Sequence, residues 1–550
     1  MSSSESDIIS HDSKIKSEKS IIVQSKNTTD ETDFVDEKGN EIVSVVSPTH
    51  KHEIVKLDGA VDKAMELAAA ADELVLEPGE DKKLLRKIDL YMLPLFMLSY
   101  ALQFEDKITI SLNSILGLRQ DLHMVGEQYA NAASIFYYAY IAGLFIFPPL
   151  LQKSKHFIFT FGVIVIIWGL ILTVQGAPNV NYGAFLALRF LLGFFESAIT
   201  PAYTIISCAW WKSSEVYLRL SLWFGCNGFG TIMGNSVALG LYKHDGSYSI
   251  ATWRLLFIIT GLSTIFLAFI IMLHVPNNPS KAWFLNEREK LMVVKRIKGN
   301  QQGYGNNVWK WKQFKEALID VRTWLFFTYS ITSQIPNGAL TNFQSILIKE
   351  DFQFSTEKTL KMNLIGGMVS FVGVPLFAWI HEKLHARKVP ILGDRLFMAI
   401  FANIICGVAS CMLAFAKHNK YARLAGVFLT GLIPVAFVCI MSNVASNTLG
   451  YTKKWTANSI FLISYAASNI AGTHTFIAKQ APNYVGGKVA MVACYWAGVV
   501  VLGILYYVNW SENKRRDQWA LEHPEEVEKA KDLSFYDLTD FENPHFRYSL

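Results

Sequence analysis

The chain has 550 residues, 51% of them hydrophobic, with a formal net charge of +5 at pH 7 and a mean hydropathy of +0.25. A soluble protein of this length would divide its apolar residues among several cores. Here they gather into long runs, which excludes an ordinary soluble protein and points to a polytopic membrane protein.

Residues 1–81 are rich in Ser, Asp, Glu and Lys with few aromatics, the composition of a disordered cytosolic tail. No short apolar core with a cleavage site opens the chain, so no signal peptide is expected. Asn27-Thr28-Thr29 fits a glycosylation acceptor, but on the expected cytosolic side, where it stays unused. "DKKLLRKIDLYMLPLF", from Asp81, then opens the first span with a basic flank.

Twelve spans follow, at roughly 88–112, 128–150, 157–177, 182–207, 218–241, 254–275, 323–348, 359–380, 393–415, 421–446, 454–478 and 487–509. Several hold Gly, Pro or Asn, which is tolerated where neighbouring helices satisfy the backbone. The first six cover 188 residues and the last six 187. Two six-helix halves joined by a long loop form the architecture of a two-lobed secondary transporter with its site near the midplane. The expected organisation is a tail (1–81), an N-terminal lobe (82–275), a cytosolic central loop (276–322), a C-terminal lobe (323–509) and a cytosolic tail (510–550).

Basic residues orient the spans. Segment 276–322 carries ten Lys and Arg between Lys281 and Arg322, loop 8–9 carries Lys383, Arg387 and Lys388, and Lys514, Arg515 and Arg516 follow the last span. The loop "GAPNVNYG" between spans 3 and 4 has no charge. Both termini and the even-numbered loops are therefore placed in the cytosol, with "KHNKYAR" in loop 9–10 as the exception. These basic stretches read as topology and leaflet contact, with no nucleic-acid partner. The six cysteines, Cys208, Cys226, Cys406, Cys411, Cys439 and Cys494, all fall in apolar runs and read as reduced packing residues. No nucleophile–base or metal-ligand spacing stands out, so no enzyme, metal or cofactor is expected.

Charges inside spans carry the functional signal, because a charge near the bilayer centre costs roughly 3 kcal/mol or more and usually marks a pathway or bound ion. Span 1 holds Glu105, Asp106 and Lys107; span 4 holds Arg189 and Glu196. Span 1 runs outward and span 4 inward, so at 1.5 Å per residue Asp106 and Arg189 both lie about 9 Å above the midplane, with Glu196 near the midplane itself. Asp106 is then the expected partner of Arg189, and Glu196 is free to titrate. Amides in apolar runs include Asn227 and Asn235 (span 5), Gln334, Asn337 and Asn342 (span 7), Asn443 and Asn447 (span 10) and Asn469 (span 11). "SQIPNG" in span 7 sets Pro336 and Gly338 beside two of them, the pattern of a broken helix that builds a site. His474 reads as an interhelical hydrogen-bonding residue or a proton relay. Gly193, Ser197 and Pro201 in span 4, and Gly230 and Gly234 in span 5, are small-residue faces for close packing.

Four stretches resemble the major facilitator superfamily, in its anion:cation symporter branch, and within it the fungal allantoate permease family. They are "RKIDLYMLPLFMLSYALQFEDK", "LRFLLGFFESAITPAYTIISCAWWK" with Arg189 and Glu196 at the family spacing, "VPNNPSKAWFLNEREK", and the C-terminal "FYDLTDFENPHFRYSL". The sequence departs from the family at the loop 2–3 signature, here only "LQKSKHFIF", and at Glu105, where relatives usually carry leucine. The resemblance implies proton-coupled uptake of a small carboxylate-bearing nutrient, such as allantoate, ureidosuccinate, nicotinate, pantothenate or cysteine, by a monomer in the fungal plasma membrane. The expected substrate contacts are Arg189, Lys107, Tyr137, Gln334, Asn337 and Asn443, and the expected proton carriers are Asp106 and Glu196. Two other readings stay open: a carrier of a thiamine-related cation or dipeptide, favoured by Glu105, and a nutrient sensor that no longer transports.

Overall fold

The computed structural model describes residues 44–46, 54–56, 79–298, 309–416, 418–522, 539–543 and 546–550. The expected disordered tail lies almost wholly outside the described residues, as does Asn27. Two short strands, Ser44–Val46 and Ile54–Lys56, pair antiparallel. Apart from connecting turns and the segments 539–543 and 546–550, the rest of the described chain is helical.

Spans 1 to 6 are Glu80–Ile115, Gln128–Lys153, Phe157–Gln175, Tyr182–Glu196 continued by Ile199–Trp210, Ser213–Lys243 and Thr252–His274. Spans 7 to 12 are Val321–Glu350, Thr356–Ala386, Arg395–Phe415, Lys420–Leu429 continued through Thr430–Leu432 by Ile433–Asn447, Tyr451–Thr473 and Val485–Glu522. Eight of these are long and apolar enough to cross a membrane on composition alone: spans 2, 3, 4, 6, 8, 9, 10 and 12. The other four, spans 1, 5, 7 and 11, hold much of the intramembrane polar content. They pack in a row, with span 5 against 1, 1 against 7, and 7 against 11. The fold thus threads a polar row through both lobes and surrounds it with apolar helices, which keeps its polar groups away from lipid.

The breaks in spans 4 and 10 share a cause. Proline has no N–H and releases the carbonyl four residues earlier. Pro201 releases Ser197 and Pro434 releases Thr430, and each helix is interrupted at that residue. Span 7 corrects the sequence reading: it runs unbroken through Pro336. Close packing on span 11 braces it there, since a Cβ added at Gly338 would lie 2.7 Å from the Asn469 Cα, and one at Gly472 would lie 2.3 Å from the Ile335 carbonyl oxygen.

The lobes meet where span 5 packs on span 8, span 2 on span 11 and span 1 on span 7. Between spans 5 and 8 the backbones touch: a Cβ at Gly228 would lie 2.3 Å from the Gly367 oxygen, and one at Gly367 would lie 2.8 Å from the Gly228 oxygen. The central segment divides its allegiance. Helix Glu287–Lys298 ties to the N-terminal lobe, with Arg296 paired to Asp81 and, at 2.7 Å, to Glu215. Helix Trp311–Ile319 ties to the C-terminal lobe through Glu316 and Lys453, 2.9 Å apart.

Inter-lobe contacts close both ends of the interface. At the end bearing the central segment, the basic face, the Tyr217 hydroxyl lies 2.9 Å from Cys439 Sγ and the Phe224 and Phe437 rings are 5.7 Å apart. At the opposite end Tyr129 donates to the Asn342 carbonyl at 2.6 Å, Arg119 pairs with Glu350 at 3.2 Å, and Lys349 donates to the Ile115 carbonyl at 3.3 Å.

Candidate functional site

Between these two sets of contacts lie two adjoining pockets, or chambers, that share Phe104, Asn227, Asn337, Thr341, Ile433 and Pro434 as walls. The smaller, about 480 Å³, is edged by Lys107, Gln103, Tyr100, Tyr137, Gln334 and Tyr465. The larger, about 690 Å³, is lined by the amides Asn235, Gln344 and Asn363 together with hydroxyls from Ser111, Thr231, Ser345 and Ser370. The chamber walls therefore carry one cationic side chain, Lys107, among neutral donors and acceptors.

Lys107 is paired. Its ammonium lies 3.1 Å from the Glu196 carboxylate, and Gln103 Nε2 donates to the same Glu196 oxygen at 3.0 Å. Glu196 is fully buried, and its second oxygen has no hydrogen-bond partner in the structure. This corrects the expectation of an unpartnered Glu196. The depth estimate placed backbones, but helical side chains lean toward their helix's N-terminus. On two antiparallel spans the lean carries Lys107 inward and Glu196 outward, so they meet. Gln103 stands four residues from Lys107, hence on the same face of span 1. That spacing was available in the sequence and was not used.

Asp106 and Arg189 also differ from expectation. Asp106 Oδ2 accepts from Trp168 Nε1 at 2.7 Å, and Oδ1 has no partner. Arg189 makes no ion pair within 4 Å among the described residues; Nε and Nη1 are unpartnered and the guanidinium faces the Phe136 ring at 5.2 Å. Both are buried inside the N-terminal lobe, and neither borders the chambers. The missed residue is Trp168 of span 3, a donor that aligned depths on spans 1 and 4 cannot reveal. Glu105 faces the lobe interior too, accepting from Thr260 at 3.1 Å and packing on Gly234.

Of the remaining candidates, Tyr137, Gln334 and Asn337 border the cavity. Asn337 donates to Asn469 Oδ1 at 3.0 Å, which fixes its amide orientation. Asn443 does not border it. It lies one turn from the basic-face end of span 10, where it bonds Asn447 at 2.6 Å and the Ser549 carbonyl at 3.3 Å. The expected substrate contact is absent at Asn443 because the proline break, not Asn443, stands beside the cavity in span 10. His474 caps the end of span 11 and is exposed, away from any buried relay.

Known proteins place these features in context. The family model described as Major Facilitator Superfamily matches residues 95–473. Allantoate permease of Saccharomyces cerevisiae is 47% identical over 548 residues, covering 98% of this chain and all of the relative. An uncharacterized transporter of Schizosaccharomyces pombe is 42% identical, covering 89% of this chain and 94% of its own. The thiamine pathway transporter of Saccharomyces cerevisiae is 30% identical over 85% of this chain and 86% of its own. The fold matches a solved proton:xylose symporter with a TM-score of 0.59, at 10% identity, over 76% of this chain and 96% of that one. The polar row, the two lobes and the central cavity are thus those of a transporter, and the chain belongs to the major facilitator superfamily, within the fungal allantoate permease family.

Proposed function

We propose that this transporter imports a small organic anion together with protons across the fungal plasma membrane, with its basic face in the cytosol. The observation that carries the reading is the Lys107–Glu196 pair at the cavity edge. An empty carrier must not leave a buried ammonium uncompensated, because removing one partner of a buried pair costs about 3–5 kcal/mol. Glu196 fills that role when no substrate is present. Once a proton neutralises Glu196, a substrate carboxylate takes its place on Lys107, and the ammonium stays paired throughout. Release of the anion to the cytosol lets Glu196 lose its proton there and return to Lys107. The amides of the larger chamber offer donors and acceptors to the rest of the substrate. Asp106 and Arg189 stand behind this pair, buried within the lobe, and border neither chamber.

The relative named for allantoate supports a carboxylate substrate of that size. The cation reading rested on Glu105, whose carboxylate is bonded to Thr260 in the lobe interior and borders neither chamber.

The test is uptake of radiolabelled allantoate into proteoliposomes with an acidic exterior. Accumulation above the outside concentration, abolished by a protonophore, is expected. Uptake indifferent to the proton gradient would remove coupling. No uptake, with no inhibition by ureidosuccinate or nicotinate, would remove the anion reading.

A further inference from the structure

Segments 539–543 and 546–550 are docked against the basic-face end of the C-terminal lobe, and the docking is specific. Two asparagines each bond both backbone groups, the N–H and the carbonyl, of one residue. Asn513 of span 12 accepts from the Tyr548 N–H and donates to its carbonyl, both at 2.8 Å. Asn447 of span 10 accepts from the Ser549 N–H at 2.7 Å and donates to its carbonyl at 2.9 Å. The buried Tyr548 ring lies under the Arg322 guanidinium of span 7 at 3.6 Å, and its hydroxyl donates to Asp540 at 2.7 Å. Asp540, fully buried, pairs with Lys453 at 2.7 Å. The Arg395 N–H, at the start of span 9, donates to the Leu550 oxygen at 2.7 Å.

Adjacent residues of the segment therefore grip different helices. Tyr548 is held by spans 7 and 12, and Ser549 chiefly by Asn447 of span 10, with a longer 3.5 Å bond from Asn509 of span 12. Span 10 is itself discontinuous: its half from Ile433 to Asn447 begins at the break beside the cavity and carries Phe437 and Cys439, which face Phe224 and Tyr217 of the other lobe. A swing of this half-helix about the break would separate those contacts. It would also pull Asn447 away from Asn513, and the segment spans the two.

We propose that segments 539–543 and 546–550 act as a strap that holds the lower half of span 10, and with it the cytosolic gate formed by Tyr217, Phe224, Phe437 and Cys439, in the closed position. Undocking of the strap frees the half-helix and opens the gate, so the strap restrains the transporter. The word cytosolic rests on the orientation proposed above; the strap and the gate contacts do not depend on it.

Cys439 reports the gate without any substrate. In a chain with Cys208, Cys226, Cys406, Cys411 and Cys494 replaced by serine, held in nanodiscs that expose both faces, N-ethylmaleimide labelling of Cys439 measures opening. Tyr548→Phe removes the hydroxyl that accepts from Arg516 of span 12 at 3.3 Å and should speed labelling about fivefold, the shift that one net hydrogen bond of ~1 kcal/mol gives. Tyr548→Ala should speed it further. Asn447→Cys with Ser549→Cys, oxidised, should slow it below the parent rate, since the disulfide replaces the Asn447 clamp by a covalent one and leaves Cys439 as the free thiol. A matched chain keeping only Cys406, a buried residue of span 9 whose Sγ lies 4.0 Å from the Leu429 carbonyl in the other half of span 10, serves as control. Faster labelling at Cys439 alone supports the strap. Equal acceleration at Cys406 shows general loosening and overturns it, as does unchanged labelling in Tyr548→Ala or in the oxidised pair. A failure of allantoate uptake leaves this measurement readable.

Discussion

Lys107 and Glu196 form a buried ion pair between spans 1 and 4, 3.1 Å apart at the edge of the central cavity, with Gln103 bonded to the same carboxylate oxygen. Gln103 and Lys107 lie on one face of span 1, so the pair is a packing feature of the lobe as well as a candidate binding element.

Its first consequence concerns stability. Lys107→Met leaves the Glu196 carboxylate buried with one neutral donor and should destabilise the protein by about 3–5 kcal/mol. Lys107→Met with Glu196→Met replaces the pair by apolar groups and should recover most of that loss. Melting of the purified variants reads the first effect, and allantoate uptake should be absent from both. Recovery of uptake in the double variant would remove the pair from the transport cycle.

The second consequence separates coupling from binding. Glu196→Gln imitates the protonated carboxylate permanently and keeps a hydrogen-bond partner for Gln103. Counterflow of labelled for unlabelled allantoate should survive, because binding and rocking remain. Accumulation driven by a pH gradient should be lost, because the amide carries no proton. Loss of both in a well-folded preparation, or retention of both, contradicts the proposed role.

Glycine substitutions test the packing. A Cβ at Gly193 would lie 2.0 Å from the Phe136 carbonyl oxygen, backbone against backbone, whereas none of the surroundings of Gly240 lies within 4 Å. Gly193→Ala should cost about 1–3 kcal/mol or more by overpacking spans 2 and 4. Gly240→Ala should be neutral or slightly stabilising, since alanine is the better helix former by about 1 kcal/mol. The yield of monodisperse protein from membranes compares them.

Orientation is tested directly. Epitope tags at residue 40 and within 300–306 should be reached by antibody only after permeabilisation of cells. Labelling of either on intact cells would reverse the assignment of the basic face.

Much of the architecture was legible because membrane spans announce themselves by apolar length, and the two matched halves by arithmetic. The charged residues in the spans were legible as well, since each is costly enough to stand out. Their pairing was not. Depth along a helix axis brought Asp106 to Arg189, but the lean of the side chains joined Lys107 to Glu196, and Asp106 met Trp168 on a helix the depth comparison did not include. Proline misled in one place and would have informed in another. Pro336 drew attention to span 7, which stays whole under the bracing of span 11, whereas Pro201 and Pro434, one residue type at the same offset from a break, mark the two interruptions. Asn443 was expected to touch substrate because a sequence does not say that a segment more than a hundred residues later will return to occupy its amide.

The bare contact between Gly228 and Gly367 has a kinetic meaning. Interlocked side chains across a joint act as teeth that must disengage before the joint can turn. The two apposed glycine backbones present none at that point, with Thr231, Ile232 and Phe371 flanking them, and we propose that the lobes turn about this contact while the larger barriers to rocking lie at the two ends. Gly367→Ala adds a tooth, and it should slow counterflow in both directions while leaving the half-saturating allantoate concentration unchanged; a change in affinity with no change in rate would contradict it. On this view the speed of the cycle is set by the residues that close the mouths, and natural variation there can retune turnover without touching the groups that choose the cargo.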